Sequence, residues 1–594
     1  MDCRSAAHAL AQIASLLELH GEDHFTVRAM QVAARAVAAQ GDRALDEVLR
    51  GELLTTDLAP APREVLQDLV DSNGSALLER LQEDTPEGLL EMLRVPGLGP
   101  ARIRAIHDGL DLDTLQELEQ AARDGRLAAL PRFGTRTAEK ILKGIADLRA
   151  TGAYVLWSHA RAEAERLAEV LRAHPDVLQL EIAGSIRRRM EIVRDVDIVA
   201  AVRGSPSVVA ASLAQTRGVR EVLGGGGRTL SLRMDDGGHV DLSCVRPEQF
   251  AMALWRATGS SAHVKQVTER AAAQGFVLAG DELRDASGAL VAIPDEAALY
   301  ARLGLAFIPP ELREAAGEID AASQRSLPTL ITRDALVGAL HCHSQYSDGG
   351  ATIALMAEAA RQHGLRYLGV SDHSQSNTYA GGLSRDVIVQ QHDEIDALNA
   401  GYAAQGTDFR VLKGIEADIL PCGRVDYDAA FLDRFDFVIG SVHTRYGMNA
   451  AQMTDRILKA LDDPHLTILG HPTGRLLLTR EPYAVDLEAI IAKAGAVGVA
   501  VELNADPHRL DIDWRACRLA QKHGTMVSIG PDAHSPQGFE NLELGVAIAR
   551  KGWLAAGDVL NTRSVQEVLA FARARRAGGA PVAAAAPAPH RRAV

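Results

Sequence analysis

Between residues 335 and 575 the chain repeats one unit, a short apolar segment followed by a helical pattern. The apolar segments end at Leu340-His341, Gly369-Val370, Leu412-Lys413, Ile439-Gly440, Ile468-Leu469, Ala500-Val501 and Val527-Ser528. Alternating strand and helix predict a parallel sheet, and a run of this length predicts one closed into a barrel. After these strands come His341-Cys342-His343, Asp348, Asp372-His373, Glu416, His443, His471 and Asp532-Ala533-His534. Taken singly, each of these is more often an ordinary surface or core residue. Their recurrence at the strand end where parallel barrels build active sites sets that explanation aside for the group. Strand residues i and i+2 share a face, so His341 can converge with His343 and Asp532 with His534, while Cys342 and Ala533 turn away. Imidazole and carboxylate without an obligatory thiolate suit Zn²⁺, Mn²⁺ or Fe²⁺ better than Mg²⁺ or Ca²⁺. Arg445 and Arg475, in the loops after His443 and His471, are candidate phosphate clamps because their forked donors fit a phosphate.

A second constellation lies upstream, in a region from about 151 to 325 with strand signals at Leu178–Ala183, Asp197–Val202 and His239–Val245. Asp195 and Asp197 stand two apart, which places both carboxylates on one strand face near its start. A bare D-x-D is usually a polar strand entry. Here it follows Gly184-Ser185, Arg187-Arg188 and Glu191, and a later strand offers Asp241 between Val240 and Leu242. Like charges side by side are costly unless a cation joins them, so this group too predicts bound metal.

Residues 1–150 carry a helical pattern throughout, broken at Val95-Pro96-Gly97-Leu98-Gly99-Pro100 and at Leu130-Pro131-Arg132-Phe133-Gly134-Thr135. Turn residues are too concentrated at both breaks for a plain helix joint. With 63 basic and 78 acidic residues the net charge is −15, which confines any nucleic-acid site to a local patch. A chain of 594 residues predicts about three to five domains. No apolar run reaches the ~20 residues of a membrane span. Five scattered cysteines without a C-x-x-C pair give no disulfide framework, and a reducing cytoplasm is the expected location. A linker is expected around Ser326–Asp334 and a disordered Ala/Pro tail over 576–594.

The H-x-H, D-H, E, H, H and D-x-H series resembles the motif set of the PHP (polymerase and histidinol phosphatase) domain. The resemblance implies a distorted seven-stranded barrel with up to three divalent ions (Mn²⁺, Zn²⁺ or Fe²⁺). It places one ion on His341, His343, Glu416 and Asp532, a second on Glu416, His443 and His471, and a third on Asp348, His373 and His534. The implied reaction is phosphoester hydrolysis, because clustered cations supply hydroxide and neutralise phosphate charge. The run from Gly184 to Asp197, with Asp241, resembles the nucleotidyltransferase palm of family X DNA polymerases. By that resemblance Asp195, Asp197 and Asp241 bind two Mg²⁺ or Mn²⁺ ions, Gly184, Ser185 and Arg188 hold the triphosphate, and Thr258-Gly259 lies at the nucleotide. Gly97, Gly99 and Gly134 become the DNA-contacting glycines of helix-hairpin-helix elements.

Together these resemble the bacterial family X polymerases over residues 1 to about 575. The expected organisation is a helical 8-kDa-like domain over 1–80, helix-hairpin-helix fingers over 81–150, palm and thumb over 151–325, and a PHP domain over 335–575. The implied activity is gap-filling DNA synthesis joined to 3′–5′ exonuclease or abasic-end processing, acting on gapped or nicked DNA with dNTPs, without membrane association and with the oligomeric state open. Alternatives are a weak polymerase working mainly as a DNA phosphoesterase, and a small-molecule phosphatase of the histidinol-phosphate type. Two departures from the family stand out. No lysine precedes Lys140, which argues against a Schiff-base lyase. Arg256-Ala257 replaces an aromatic pair at the nucleotide sugar, which predicts weaker exclusion of ribonucleotides.

Overall fold

A computed structural model of the chain describes residues 3–578 except 42, 44, 52–57, 73, 74, 84, 86–88, 90, 91, 94, 96, 111, 113, 114, 132, 152, 153, 227 and 235–237. The tail expected to be disordered therefore lies, from residue 579, outside the described residues. Two compact units are present, Met1–Ala153 and Tyr154–Val594.

The first unit is helical, with Cys3–His20, His24–Ala38, Pro60–Ser72, Pro100–Leu110, Leu115–Arg123 and Thr135–Thr151 among its helices. Leu10, Ile13 and Leu17 recur at helical spacing and meet Met30, Ala33 and Val37 in one apolar cluster. A second cluster gathers Leu98, Ile103, Leu118 and Ile141. Asp23 starts the second helix by accepting the N–H groups of Phe25 (2.8 Å) and Thr26 (3.1 Å).

In the second unit a five-stranded sheet comes first, ordered Val177–Ile182, Asp195–Val202, His239–Val245, Thr229–Met234 and Val219–Gly226. Its central pair is parallel, with Asp197 opposite Asp241. The apolar run after Asp197 is buried on both faces, which holds the strand's acidic start at the sheet's rim. A three-stranded sheet follows at Val277–Ala279, Glu282–Arg284 and Leu290–Val291.

The expected parallel barrel is present. Its seven strands run in chain order as Gly338–Ala339, Tyr367–Val370, Arg410–Asp418, Phe437–Ser441, Ile468–Leu469, Ala500–Asn504 and Val527–Gly530. A parallel bridge between Cys342 and Ala533 brings the ends of the first and last strands together and nearly closes the ring. Leu340, Tyr367, Leu412, Phe437, Ile439, Ile468 and Ala500 pack with Leu560, Val568 and Leu569, so the helix Val565–Arg576 joins this inner core. Phe437 needs glycine beside it, since a Cβ on Gly369 or Gly414 would lie 2.6 or 2.2 Å from its ring. The connector around Ser326–Asp334 is not a loose linker. Ile331 is buried, its N–H donates to Leu554 C=O (2.9 Å), and its carbonyl accepts from Arg550 Nη1 (2.9 Å). Among the described residues no helix is long and apolar enough to cross a membrane.

Candidate metal centres

The Cys342–Ala533 bridge does the first work of assembly. It sets H-x-H beside D-x-H, with Cys342 and Ala533 buried in the surrounding apolar core. His343 Nε2 and His341 Nε2 lie 3.2 and 3.7 Å from Asp532 Oδ1. Glu416 stands on the same side as Leu412, so its carboxylate enters the barrel mouth. It lies 3.4 Å from His341 Nε2, 3.8 Å from His343 Nε2, 3.2 Å from His443 Nε2 and 2.9 Å from His471 Nε2. Asp348 Oδ2 lies 3.5 Å from His373 Nε2 and 3.4 Å from His534 Nε2. Tetrahedral ligands at zinc-type bond lengths stand about 3.3 Å apart, so these spacings suit divalent ions. His343 also faces both groups, with Nδ1 3.6 Å from Asp348 Oδ1, and His373 Nδ1 reaches Glu416 Oε2 at 2.7 Å.

A direct sign that the donors fit cations is the state of their nitrogens. His341 Nε2 and both ring nitrogens of His343 are buried without a hydrogen-bond partner, a costly arrangement unless a cation takes the lone pair. Burial alone would push Glu416 toward its neutral acid, but His443, His373 and His341 override it and hold its pKa well below the carboxylate range. Burial and Arg509 push His471 down to about 3, which keeps that imidazole neutral and able to ligate. Three mouth loops also place non-glycine residues at positive φ, at Arg445 (61°), His471 (21°) and Asp532 (50°). Backbone in this sparse region concentrates where a site demands it.

Sequence reading missed the groups that aim these ligands. Glu502, buried, accepts from His341 Nδ1 (2.6 Å) and from the His471 N–H (2.7 Å). Asp418 accepts from His443 Nδ1 (2.7 Å), and His534 Nδ1 donates to the Asp532 carbonyl (2.9 Å). The bonds from Nδ1 of His341, His443 and His534 fix the tautomer that leaves Nε2 facing inward. Asn504 Nδ2 and Arg509 Nε hold Asp532 Oδ2 at 2.9 and 3.5 Å. A usable signal was present, because Ala500, Glu502 and Asn504 alternate along one strand and Ala500 faces the barrel core.

Two expected phosphate clamps fare differently. Arg445 is exposed at the mouth. Arg475 has protein partners: its guanidinium donates to the carbonyls of Arg509 (Nε, 2.9 Å) and Leu510, and lies 3.6 Å from Glu191 of the sheet region. The forked donors that suggested a phosphate here tie the barrel loops to the sheet region.

In the sheet, Asp195 and Asp197 share a face and Asp197 is in register with Asp241. Gly184, at φ 60°, is required here, since a Cβ would lie 1.8 Å from Asp197 Oδ2. Burial first, then the charges of Asp195 and Asp241, raise Asp197 to about 7, as expected of a carboxylate short of a counter-cation. The side-chain groups whose ligand atoms all close to within 4.8 Å are, among the described residues, the four in the barrel. The three sheet carboxylates do not close to that distance, and Asp241 accepts from Ser231 Oγ. Ser185 Oγ is buried without a partner. Arg188, expected on a triphosphate, donates to the Thr258 carbonyl and to Glu314 Oε1 (3.0 Å). Thr258 is fully buried, and its Oγ1 accepts from Arg187 (2.7 Å), so its side chain does not face a nucleotide. Gly259 follows at φ 70°.

In the helical unit, Gly97, Gly99 and Gly134 are exposed, and a Cβ at any of them would meet nothing within 4 Å. Their backbones are open to a phosphate. Pro96 and Arg132 of these turns lie outside the described residues.

Three family models match the chain: a SAM-like helix-hairpin-helix tandem over residues 89–147, the DNA polymerase beta thumb over 253–314, and the PHP domain over 339–505. The chain is 34% identical over 566 residues to the DNA polymerase/3′-5′ exonuclease PolX of Bacillus subtilis, covering 95% of this chain and 98% of that protein. It is also 26% identical over 248 residues to a probable phosphatase of Syntrophotalea carbinolica, covering 39% of this chain and 94% of that one. A probable phosphatase of Caldicellulosiruptor saccharolyticus is 29% identical over 210 residues, covering 33% and 78%. With helix-hairpin-helix, thumb and PHP regions in this order and identity extending along nearly all of the Bacillus protein, the chain belongs to the PolX family, the bacterial family X DNA polymerases that carry a C-terminal PHP domain.

Proposed function

We propose that the chain is a cytoplasmic DNA repair enzyme that fills short gaps with its palm and removes or trims 3′ ends with its PHP domain. The observation that carries this reading is the presence of two unlike acidic sites in one chain, an in-register carboxylate set on a mixed sheet and an imidazole-rich cluster in a parallel barrel. The domain limits follow the motifs: 1–80 and 81–150 for the DNA-gripping helices, 151–325 for palm and thumb, 335–575 for the PHP domain.

Asp195, Asp197 and Asp241 would hold Mg²⁺ or Mn²⁺, which when bound stabilises the attacking and leaving oxygens of an in-line displacement. Ser185 Oγ, already free of partners, is the donor available to the nucleotide's phosphates. Gly184 lets the triphosphate turn approach Asp197 closely. In the barrel, His341, His343, Glu416 and Asp532, then Glu416, His443 and His471, then Asp348, His373 and His534 would hold up to three Zn²⁺, Mn²⁺ or Fe²⁺ ions, which would supply hydroxide at neutral pH and neutralise the charge of a phosphodiester. Glu502 and Asp418 would keep His341 and His443 in their ligating tautomer, and Arg445, exposed at the mouth, would take a phosphate oxygen.

A weak-polymerase reading has one observation in its favour, namely that Arg188 and Thr258 are tied to protein partners rather than left free. A one-nucleotide gapped duplex with a 5′-labelled primer, incubated with and without dNTPs in Mg²⁺ and in Mn²⁺, separates the readings. Extension with dNTPs and shortening without them support the proposal. Shortening alone leaves the phosphoesterase, and neither product refutes both.

A further inference from the structure

Lys551 ends the helix Asn541–Lys551, a barrel-side element, yet its ammonium belongs to the polymerase half. The side chain is 0% exposed. Nζ donates to the Arg188 carbonyl (3.1 Å), to Glu314 Oε1 (2.5 Å) and to the Glu311 carbonyl (3.5 Å), and it lies 5.2 Å from the Trp514 ring. Glu314 Oε1 also accepts from Arg188 Nε (3.0 Å), and Arg188 Nη1 donates to the Thr258 carbonyl. These bonds form a closed circuit. It runs from the barrel side through the thumb's Glu314 to Arg188, which follows the helix Gly184–Arg187, and on to the turn at Thr258-Gly259.

That short helix begins with Gly184, packed on Asp197, and with Ser185, whose hydroxyl is free. Four residues make too little helix to hold their own position, so contacts from outside must fix where Ser185 points. Lys551 supplies such a contact at the carbonyl end. A buried ammonium is expensive and persists only with partners, and Glu314 with the two carbonyls provides them. Neighbouring contacts act in the same place. Arg550 Nε donates to Glu311 (2.8 Å), Arg518 Nη1 donates to the Ala316 carbonyl (2.6 Å), and Trp553 packs in the core that holds Trp255 and Leu312.

We propose that Lys551 is a positioning residue for nucleotide binding, a barrel-side cation that sets the Gly184–Arg188 turn, so that dNTP affinity in the palm depends on the docked PHP region. This rests on the palm being a nucleotidyltransferase. The test is steady-state insertion by the full-length protein on a one-nucleotide gap, with 3′ trimming measured in parallel. Lys551→Met should raise the dNTP KM at least fivefold, change kcat less than twofold, and leave trimming within twofold of wild type. Glu314→Gln, which keeps the carbonyl contacts and loses the shared carboxylate, should raise KM in the same direction, and it carries the test if Lys551→Met does not fold. An unchanged KM in whichever variant folds overturns the proposal, as does a parallel loss of extension and trimming. Wild-type protein that adds no dNTP refutes the polymerase reading itself, and this proposal with it.

Discussion

Glu502 gives the sharpest prediction because both of its oxygens are committed. Oε1 accepts from His341 Nδ1 at 2.6 Å, while Oε2 accepts from the His471 N–H at 2.7 Å and from Asn504 Nδ2 at 3.3 Å. Glu502→Gln keeps the shape but leaves a single acceptor oxygen. If that oxygen serves the His471 amide, the new NH₂ faces His341 Nδ1, which must then accept, moving the ring proton to Nε2 where Glu416 and Asp532 converge. If it serves His341 instead, the NH₂ opposes a backbone N–H. The first arrangement exchanges a charge-assisted bond for a neutral one and takes the ligating lone pair from Nε2, and the second loses a bond outright; a hydrogen bond to a charged group is worth about 1.5–3 kcal/mol, or roughly a 10–150-fold change at 1.4 kcal/mol per tenfold. The general cost of removing an outer partner of a ligating histidine, about 10–100-fold in metal affinity, agrees. Competition with a chromophoric chelator measures this directly on the purified protein. Expected is a metal dissociation constant raised about 10–100-fold, with 3′ trimming rescued by added metal and primer extension unaffected. Wild-type metal affinity in a folded Glu502→Gln protein would refute the idea that Glu502 fixes the His341 tautomer.

Other outcomes follow from the palm and the helical unit. Since burial and the charges of Asp195 and Asp241 raise Asp197 to about 7, a proton competes there with Mg²⁺ below that pH, so the Mg²⁺ concentration for half-maximal extension should rise as pH falls from 8 to 6, by up to about tenfold per unit in the acid range; a flat profile contradicts it. Trp255 is 1% exposed in the thumb core, so it supplies no ring in place of the missing pair at Arg256-Ala257; Ala257→Phe should therefore widen discrimination against rNTPs by about 1–3 kcal/mol in single-nucleotide insertion kinetics, and equal selectivity in the two proteins ends that argument. With no lysine before Lys140, borohydride should trap no adduct between residues 1–139 and a 5′-deoxyribose phosphate end; a trapped peptide from that span, located by mass spectrometry, would show another amine at work.

What could be read from the sequence was whatever the backbone period dictates. H-x-H and D-x-H are legible because strand side chains alternate, and one bridge between their middle residues then brings both pairs to the same mouth. The carboxylates behind them were not. Glu502 and His341 are 161 residues apart in sequence, and no local rule links residues that only a closed barrel makes neighbours. The partners of Arg475 and Arg188 were hidden for a related reason: an arginine beside a motif suggests phosphate, while a partly buried guanidinium also takes the acceptors around it, here carbonyls and Glu191 for one, Thr258 and Glu314 for the other. The strand Val219–Gly226 is not among the strand signals of the sequence, since its glycines have low strand propensity, and antiparallel pairing with Thr229–Met234 makes it an edge strand.

The central claim is that two separate metal sites in one chain perform two separate reactions. One gel tests it, with extension and 3′ trimming of the same labelled gapped duplex by Asp197→Ala and by the double variant His341→Ala/His343→Ala. Asp197→Ala should lose dNTP addition and keep trimming, while the double variant should lose trimming and its bound metal and keep addition. Trimming that survives the loss of both histidines, or the loss of both activities from either protein, would contradict the account.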